Sequence, residues 1–220
     1  MKKFDLSLYL VTDDAYLEGR DVLEVLRQAI DSGITAIQYR FKKKPASEMY
    51  KELVSLREIT NKYGVTLIVN DRIDLALAIN ADGVHIGQKD LPPEVVRSLV
   101  GEGMIIGYSV NSVDKLLEIE NLPIDYIGFG SVFDTSTKSD YTLVGLDGLR
   151  KACGISSKPV VAIGGITSAR VGEVLSAGAK GIAVVSAVLG FENIKSAVSA
   201  LRQAIKTYHI KNLHENYLSA

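Results

Sequence analysis

Eight short runs rich in β-branched residues recur along the 220-residue chain, and each is followed by a stretch with helical periodicity. The runs are Leu8–Thr12, Ala36–Arg40, Thr66–Asn70, Gly83–Ile86, Ile105–Ser109, Tyr126–Gly130, Val160–Ile163 and Gly181–Ser186. Each is about strand length and mostly apolar, the pattern of a parallel strand covered on both faces. The helical stretches are Asp21–Asp31, Ser47–Tyr63, Ile73–Asn80, Pro93–Val100, Val113–Glu120, Leu146–Ala152, Ser168–Ala177 and Glu192–Tyr208. In the first of them Val22, Leu23, Leu26, Ala29 and Ile30 gather on one side. Gly33, Gly64, Gly154 and Gly178 are each expected to follow a helix, where a left-handed end conformation favours glycine. "DSGITAIQ", "NADGVHIG" and "SAGAKGIAVV" repeat one helix–glycine–strand joint, the mark of a repeating βα unit. Eight such units predict a closed (β/α)8 TIM barrel in a single domain. An open dinucleotide-binding sheet would carry G-x-G-x-x-G directly after its first strand. Here the first strand runs into Thr12, Asp13 and Asp14.

In a barrel of this kind chemistry sits at the carboxyl ends of the strands. The second strand ends in "QYRFK". Strand side chains alternate in direction, so Gln38, Arg40 and Lys42 share one face and Tyr39 and Phe41 the other. Turned inward, Gln38, Arg40 and Lys42 ask for an anion, with forked donors from the arginine and a point charge from the lysine. Lys43 and Lys44 continue the charge into what reads as a solvated loop. The third strand ends in Asn70 and Asp71, and the fourth leads to Asp90. Two carboxylates at adjacent strand ends can share a magnesium ion with waters and a substrate phosphate; Asp71 read alone could simply cap the next helix. His85, in mid-strand, reads as a satisfied core histidine rather than a metal ligand.

The remaining strand ends are polar as well. Ser109 closes the fifth strand, and the loop after the sixth holds Thr135, Thr137 and Lys138. Gly164 and Gly165 after the seventh strand would let backbone amides approach a phosphate, and Ser186 stands at the end of the eighth. Loops seven and eight form the usual phosphate cradle of this fold. The mouth therefore offers two anion sites facing each other, one built from cations and carboxylates and one from amides and hydroxyls. That arrangement suits two phosphorylated small molecules, one of them bringing diphosphate and metal.

Lys plus Arg number 25 and Asp plus Glu 26, a balance that argues against nucleic acid or a membrane surface as partner. Cys153 is the single cysteine, which excludes an internal disulfide framework and fits the cytoplasm. Lys2 and Lys3 are followed by Asp5 and no long apolar run, so a secretory leader is not expected. The barrel is expected over residues 1–208, with 209–220 as a polar C-terminal tail. The composition is compatible with a homo-oligomer.

From Leu8 to about Ala204 the chain resembles the thiamine phosphate synthase family. The motifs that carry the resemblance are "YLVTDD", "QYRFK", "VNDRIDLALAINADGVHIGQKD", "GYSV", "GSVFDTSTK", "AIGGIT" and "GIAVVSAV". The resemblance implies a transferase that joins 4-amino-2-methyl-5-hydroxymethylpyrimidine diphosphate to a thiazole phosphate or its carboxylated form. It implies the pyrimidine diphosphate on Gln38, Tyr39, Arg40, Phe41, Lys42, Asn70, Ser109 and Lys138. It implies the thiazole phosphate on Thr135, Ser136, Thr137, Gly165, Val185 and Ser186, and Mg2+ on Asp71 and Asp90. Arg40, Lys42, Lys138 and Ser109 would carry the chemistry. Three positions depart from the family pattern. Phe41 stands where many relatives have an acid, Asp134 where a proline is common, and Asn111 where histidine is frequent. The related thiazole tautomerases tend to lose "IGQ-x-D" and to use a histidine after the fifth strand, whereas here "IGQKD" is intact and Asn111 takes that place. A non-catalytic barrel that binds thiamine precursors would not need both carboxylates beside Arg40, Lys42 and Lys138.

Overall fold

A computed structural model describes residues 4–135, 137 and 141–218. Eight parallel strands, each paired with its sequence neighbours, close into a barrel as β8 returns to β1. They are β1 (Leu8–Val11), β2 (Ala36–Tyr39), β3 (Thr66–Asn70), β4 (Gly83–Ile86), β5 (Ile105–Val110), β6 (Tyr126–Phe129), β7 (Val160–Ile163) and β8 (Gly181–Val184). The strand alternation holds around the ring. Tyr9, Ala36, Ile68, Ile105, Tyr126, Val161 and Ala183 pack together inside the barrel. The alternate residues Leu10, Ile37, Leu67, Ile106, Ile127, Ala162 and Ile182 pack outward against the helices.

The outer layer holds α1 (Asp14–Leu17), α2 (Val22–Asp31), α3 (Ala46–Tyr63), α4 (Ile73–Ala78), α5 (Pro93–Val100), α6 (Val113–Glu118), α7 (Gly145–Ile155), α8 (Val171–Ser176), α9 (Ser186–Leu189) and α10 (Ile194–Leu218). Asp21 caps α2 by accepting from the Glu24 amide, and Val22, Val25, Leu26, Ala29 and Ile30 form its buried stripe. Gly64 ends α3 in the left-handed region with φ 68°. Gly154 differs from the expectation. It lies within α7, which runs on to Ile155, and Cys153 is likewise inside that helix. The short irregular ends at α1 and α9 were not signalled by periodicity, because four residues are too few to show a period. The segment after residue 208 is helical as far as Leu218 and continues α10.

At the amino ends of the strands one device occurs twice. Asp82 accepts from the Leu67 amide and pairs with Arg57 at 2.7 Å; Asp125 accepts from the Ile106 amide and pairs with Arg97 at 2.7 Å. Each carboxylate ties a helix to an adjacent strand entry. This end is held by structural ion pairs, which leaves the carboxyl ends for chemistry.

Candidate active site

Gln38 points into the barrel from β2 and is 5% exposed, among the few polar side chains buried there. Arg40 and Lys42 follow at the rim. Thr12, fully buried at the end of β1, accepts from the Arg40 amide at 2.7 Å and donates to the Arg40 carbonyl at 2.9 Å. One hydroxyl thus clamps the rim of β2 to β1. The Arg40 guanidinium meets Asp13 at 3.2 Å, and the Asp14 carboxylate accepts from the Lys42 amide at 2.8 Å. Lys42 Nζ donates to Asp71. Each cation of the row therefore holds a carboxylate of the protein. A cavity of about 820 Å³ lies beside this rim, lined by Asp13, Asp14, Arg40, Phe41 and Lys42 with the starts of α2 and α3; Gln38, Asp71, Asp90 and Ser109 do not line it.

Asp71 has φ 57°, a left-handed conformation costly for any residue with a Cβ. It does not cap α4, whose first turn has no side-chain cap bond. Its carboxylate turns instead toward Asp90 and Lys42. Asp90 accepts from the Gly87 amide at 2.7 Å. Burial pushes the Asp90 carboxyl above its ordinary value, the Gly87 amide opposes the rise, and the neighbouring Asp71 charge adds to it. The Asp71 charge beside Asp90 is a repulsion that a divalent cation would relieve. Among the described residues no cluster of three His, Cys, Asp or Glu could hold a metal. Two carboxylates with water and phosphate oxygens are nevertheless a usual magnesium donor set.

Ser109 accepts or donates a 2.8 Å bond with His85 Nε2, and His85 Nδ1 lies 2.8 Å from the Tyr126 hydroxyl. The structure thus bears out His85 as a satisfied interior histidine. Tyr39 and Phe41 lie on the far side of β2, as their parity requires. Tyr39 is buried against α3 and donates to Glu52 at 2.6 Å; Phe41 lies under the Lys44 ammonium at 3.9 Å. Their rings face away from Gln38, which leaves their backbone as the route to a ligand. Lys44 corrects another expectation. Its side chain is only 17% exposed and is paired with Glu52 at 2.6 Å, whereas Lys43 is exposed.

On the opposite side, Gly164 and Gly165 turn with φ of 104° and 62°. The loop after β6 lies directly on them: Phe133 donates its amide to the Gly164 carbonyl at 3.1 Å. A Cβ on Gly165 would collide with the backbone oxygen of Asp134 and lie 2.8 Å from Phe133 Cβ. The space that a side chain at Gly165 would need is thus already filled by the protein. Arg170 donates to the Gly165 carbonyl at 2.8 Å and stacks on Phe133. Thr135 accepts from the Thr137 amide at 3.2 Å, Val185 packs against the barrel interior, and Ser186 begins α9. Ser136 and Lys138 lie outside the described residues.

The family model described as thiamine monophosphate synthase matches residues 8–188. The chain belongs to this family. It is 57% identical over 205 residues to thiamine-phosphate synthase of Hydrogenobaculum sp. (strain Y04AAS1), covering 93% of this chain and 96% of that one. It is 54% identical to thiamine-phosphate synthase 1 of Aquifex aeolicus (strain VF5), covering 91% of this chain and 93% of that one. Among solved structures, thiamine phosphate pyrophosphorylase from Pyrococcus furiosus superposes with a TM-score of 0.85 at 42% identity, covering 92% and 96% of the two chains.

As a member of the family the protein is an enzyme, a transferase of thiamine biosynthesis. Two of its departures from the family pattern have local partners. Asp134 accepts from the Tyr141 hydroxyl at 3.1 Å, which ties the loop after β6 to the segment before α7. Asn111 faces Gln88 of "IGQKD", whose carbonyl accepts from Lys115 at 2.5 Å. The residues to which sequence reasoning gave no role are Tyr9, Thr12, Asp13, Asp14 and Tyr126. The first four lie in the quoted "YLVTDD", but the two tyrosines look like ordinary strand residues.

Proposed function

We propose that this enzyme condenses 4-amino-2-methyl-5-hydroxymethylpyrimidine diphosphate with a thiazole phosphate, giving thiamine phosphate and diphosphate. The observation that carries the reading is the meeting of Lys42, Asp71 and Asp90 at the ends of β2, β3 and β4, beside the inward Gln38. Mg2+ held by Asp71 and Asp90 would supply charge neutralisation to the diphosphate. Arg40, Lys42 and Lys138 would bind the phosphoryl oxygens and steady the charge that grows as the carbon–oxygen bond breaks. Gln38, Asn70 and Ser109 would orient the pyrimidine. The resulting pyrimidine-methyl cation is captured by the thiazole nitrogen lone pair, so no general base is required. Thr135, Ser136, Thr137, Gly165, Val185 and Ser186 would hold the thiazole phosphate opposite. Exclusion of water from the mouth would protect the cation from hydrolysis.

We place this chemistry on phosphorylated small molecules in the cytoplasm; no described helix is long and apolar enough to cross a membrane. The test supplies both substrates with and without Mg2+ and follows thiamine phosphate by NMR. Product that needs both substrates and the metal is expected. Isomerisation of the thiazole alone, without condensation, would instead mark a tautomerase.

A further inference from the structure

A line of hydrogen bonds crosses the inside of the barrel from β2 to β5. Gln38 Nε2 donates to the Tyr9 hydroxyl at 3.0 Å. The Tyr9 and Tyr126 hydroxyls are 2.9 Å apart, Tyr126 Oη is 2.8 Å from His85 Nδ1, and His85 Nε2 is 2.8 Å from Ser109 Oγ. Five strands contribute one residue each: β2, β1, β6, β4 and β5. The strands make room for the rings. A Cβ on Gly107 would collide with the hydroxyl end of the Tyr126 ring, and one on Gly128 would lie 3.1 Å from His85 Cε1. Neither glycine has a positive φ, so space and not backbone freedom accounts for them.

We infer that Tyr9, Tyr126 and His85 are positioning residues whose hydrogen bonds run one way and present Ser109 to the pyrimidine as a donor. The inference rests on the synthase reading given above. Counting protons gives the direction. The Gln38 amide nitrogen can only donate, so the Tyr9 oxygen accepts. The single Tyr9 proton then goes to Tyr126, and the single Tyr126 proton goes to His85 Nδ1. Burial pushes both phenols above their ordinary values, so both keep these protons. A neutral His85 carries its proton on Nε2 and donates to Ser109 Oγ. The Ser109 proton is left to point into the mouth, toward an acceptor such as a pyrimidine ring nitrogen. The opposite direction needs the Gln38 amide turned over. It places the histidine proton on Nδ1, uses the Ser109 proton on His85, and leaves the serine only lone pairs to offer. Ser109 stands near the carboxylate pair: a Cβ on Gly87 would be 3.4 Å from Asp90 Oδ2 and 3.9 Å from Ser109 Cβ.

The experiment reads the proton position directly. The chain has three histidines, so 15N-histidine labelling with a His209→Gln, His214→Gln background isolates His85. Two-bond 15N–1H correlations should show the Nε2–H tautomer. The Nδ1–H tautomer would overturn the inference. Tyr126→Phe keeps the ring and removes the link; the tautomer preference should weaken and calorimetric binding of pyrimidine diphosphate should fall by about tenfold, the size expected for one lost buried hydrogen bond. KM for thiazole phosphate should not move. In a Ser109→Ala background the same change should cost less than about twofold, because both act through one hydroxyl. Additive losses would overturn the positioning role. Tyr9→Phe provides a second break in the chain if Tyr126→Phe does not fold. Tautomer and binding are read without turnover, so absence of condensation in the wild type would count against the synthase reading alone.

Discussion

The two sides of the barrel mouth are made of different material. Between β2 and β5 the candidate groups are side chains: Gln38, Arg40, Lys42, Asp71, Asp90 and Ser109, held by ion pairs and hydrogen bonds that also involve Tyr9, Asp13, His85 and the Gly87 amide. Between β6 and β8 the surface is mostly backbone, with Gly164 and Gly165 turned into conformations other residues avoid and the Phe133–Asp134 segment resting on them. The first side can change its chemistry without changing its shape. The second owes its shape to residues that cannot be exchanged. Substitutions should therefore separate function from folding on one side and couple them on the other.

The largest effect is expected at the carboxylates. Asp71→Asn and Asp90→Asn should each lower turnover by about 100-fold or more, the loss of several kcal/mol of charge stabilisation. Stability should move the other way at Asp90. Its carboxyl titrates above the unfolded value, so the folded state binds more protons than the unfolded state in that window. Stability is then lost as pH rises from the ordinary carboxylate range through the raised value. Asparagine removes that loss and still accepts from Gly87. Urea melts at neutral pH should show Asp90→Asn at least as stable as wild type; a clear drop would contradict the electrostatic account.

Gly165→Val comes next, and tests the other side. Its φ of 62° and its contact with the Asp134 backbone should make the variant lose about 3 kcal/mol or more, with both substrates affected together. A normal thermal melt with selective loss of thiazole phosphate would show that this side, too, can be altered without unfolding.

A smaller change is expected for Arg40→Lys, which keeps the charge but loses the fork. kcat/KM for pyrimidine diphosphate should fall by about tenfold with an unchanged melting curve. Wild-type kinetics would remove the two-pronged contact from the proposal.

The smallest effects sharpen the contrast within the charged side itself. Lys44 is largely covered, paired with Glu52 and seated over Phe41. Lys44→Ala should lower stability by about 1 kcal/mol in chemical denaturation while Lys43→Ala does nothing measurable. Equal behaviour of the two would mean that the ion pair carries no stability.

Much of this was legible before any coordinates. β-Branched runs located all the strands, and a period of two put Gln38 inward and Tyr39 outward. Both features are local, and local patterning is what a linear sequence displays best. The features that escaped depend on closure. Tyr9 and Tyr126 are 117 positions apart and meet only because the strands form a ring. Each alone is an aromatic residue in an apolar strand. Asp13 and Asp14 reach Arg40 and Lys42 because β1 lies beside β2, and nothing in their own neighbourhood distinguishes them from ordinary helix-starting acids. Gly154 misled for the reverse reason. A glycine near a helix end is common, and only the continuation of hydrogen bonding through Ile155 shows that the helix passes it. Lys44 reads as solvated charge in the sequence because its partner, Glu52, sits eight residues away on the next helix.

The pairs Arg40–Asp13 and Lys42–Asp71 have a consequence for how a ligand would enter. A diphosphate arriving with its metal carries both signs at once. On the proposed reading, Lys42 would turn from Asp71 to a phosphoryl oxygen, and the released carboxylate would be free for the cation. Entry would then be an exchange of partners, in which salt bridges are traded for salt bridges and the rim's charge stays nearly constant. Diphosphate without metal would free Asp71 and leave it facing Asp90 with no counterion. On this scheme the two components belong together at the door, and either one alone meets a lock already closed by the protein's own charges.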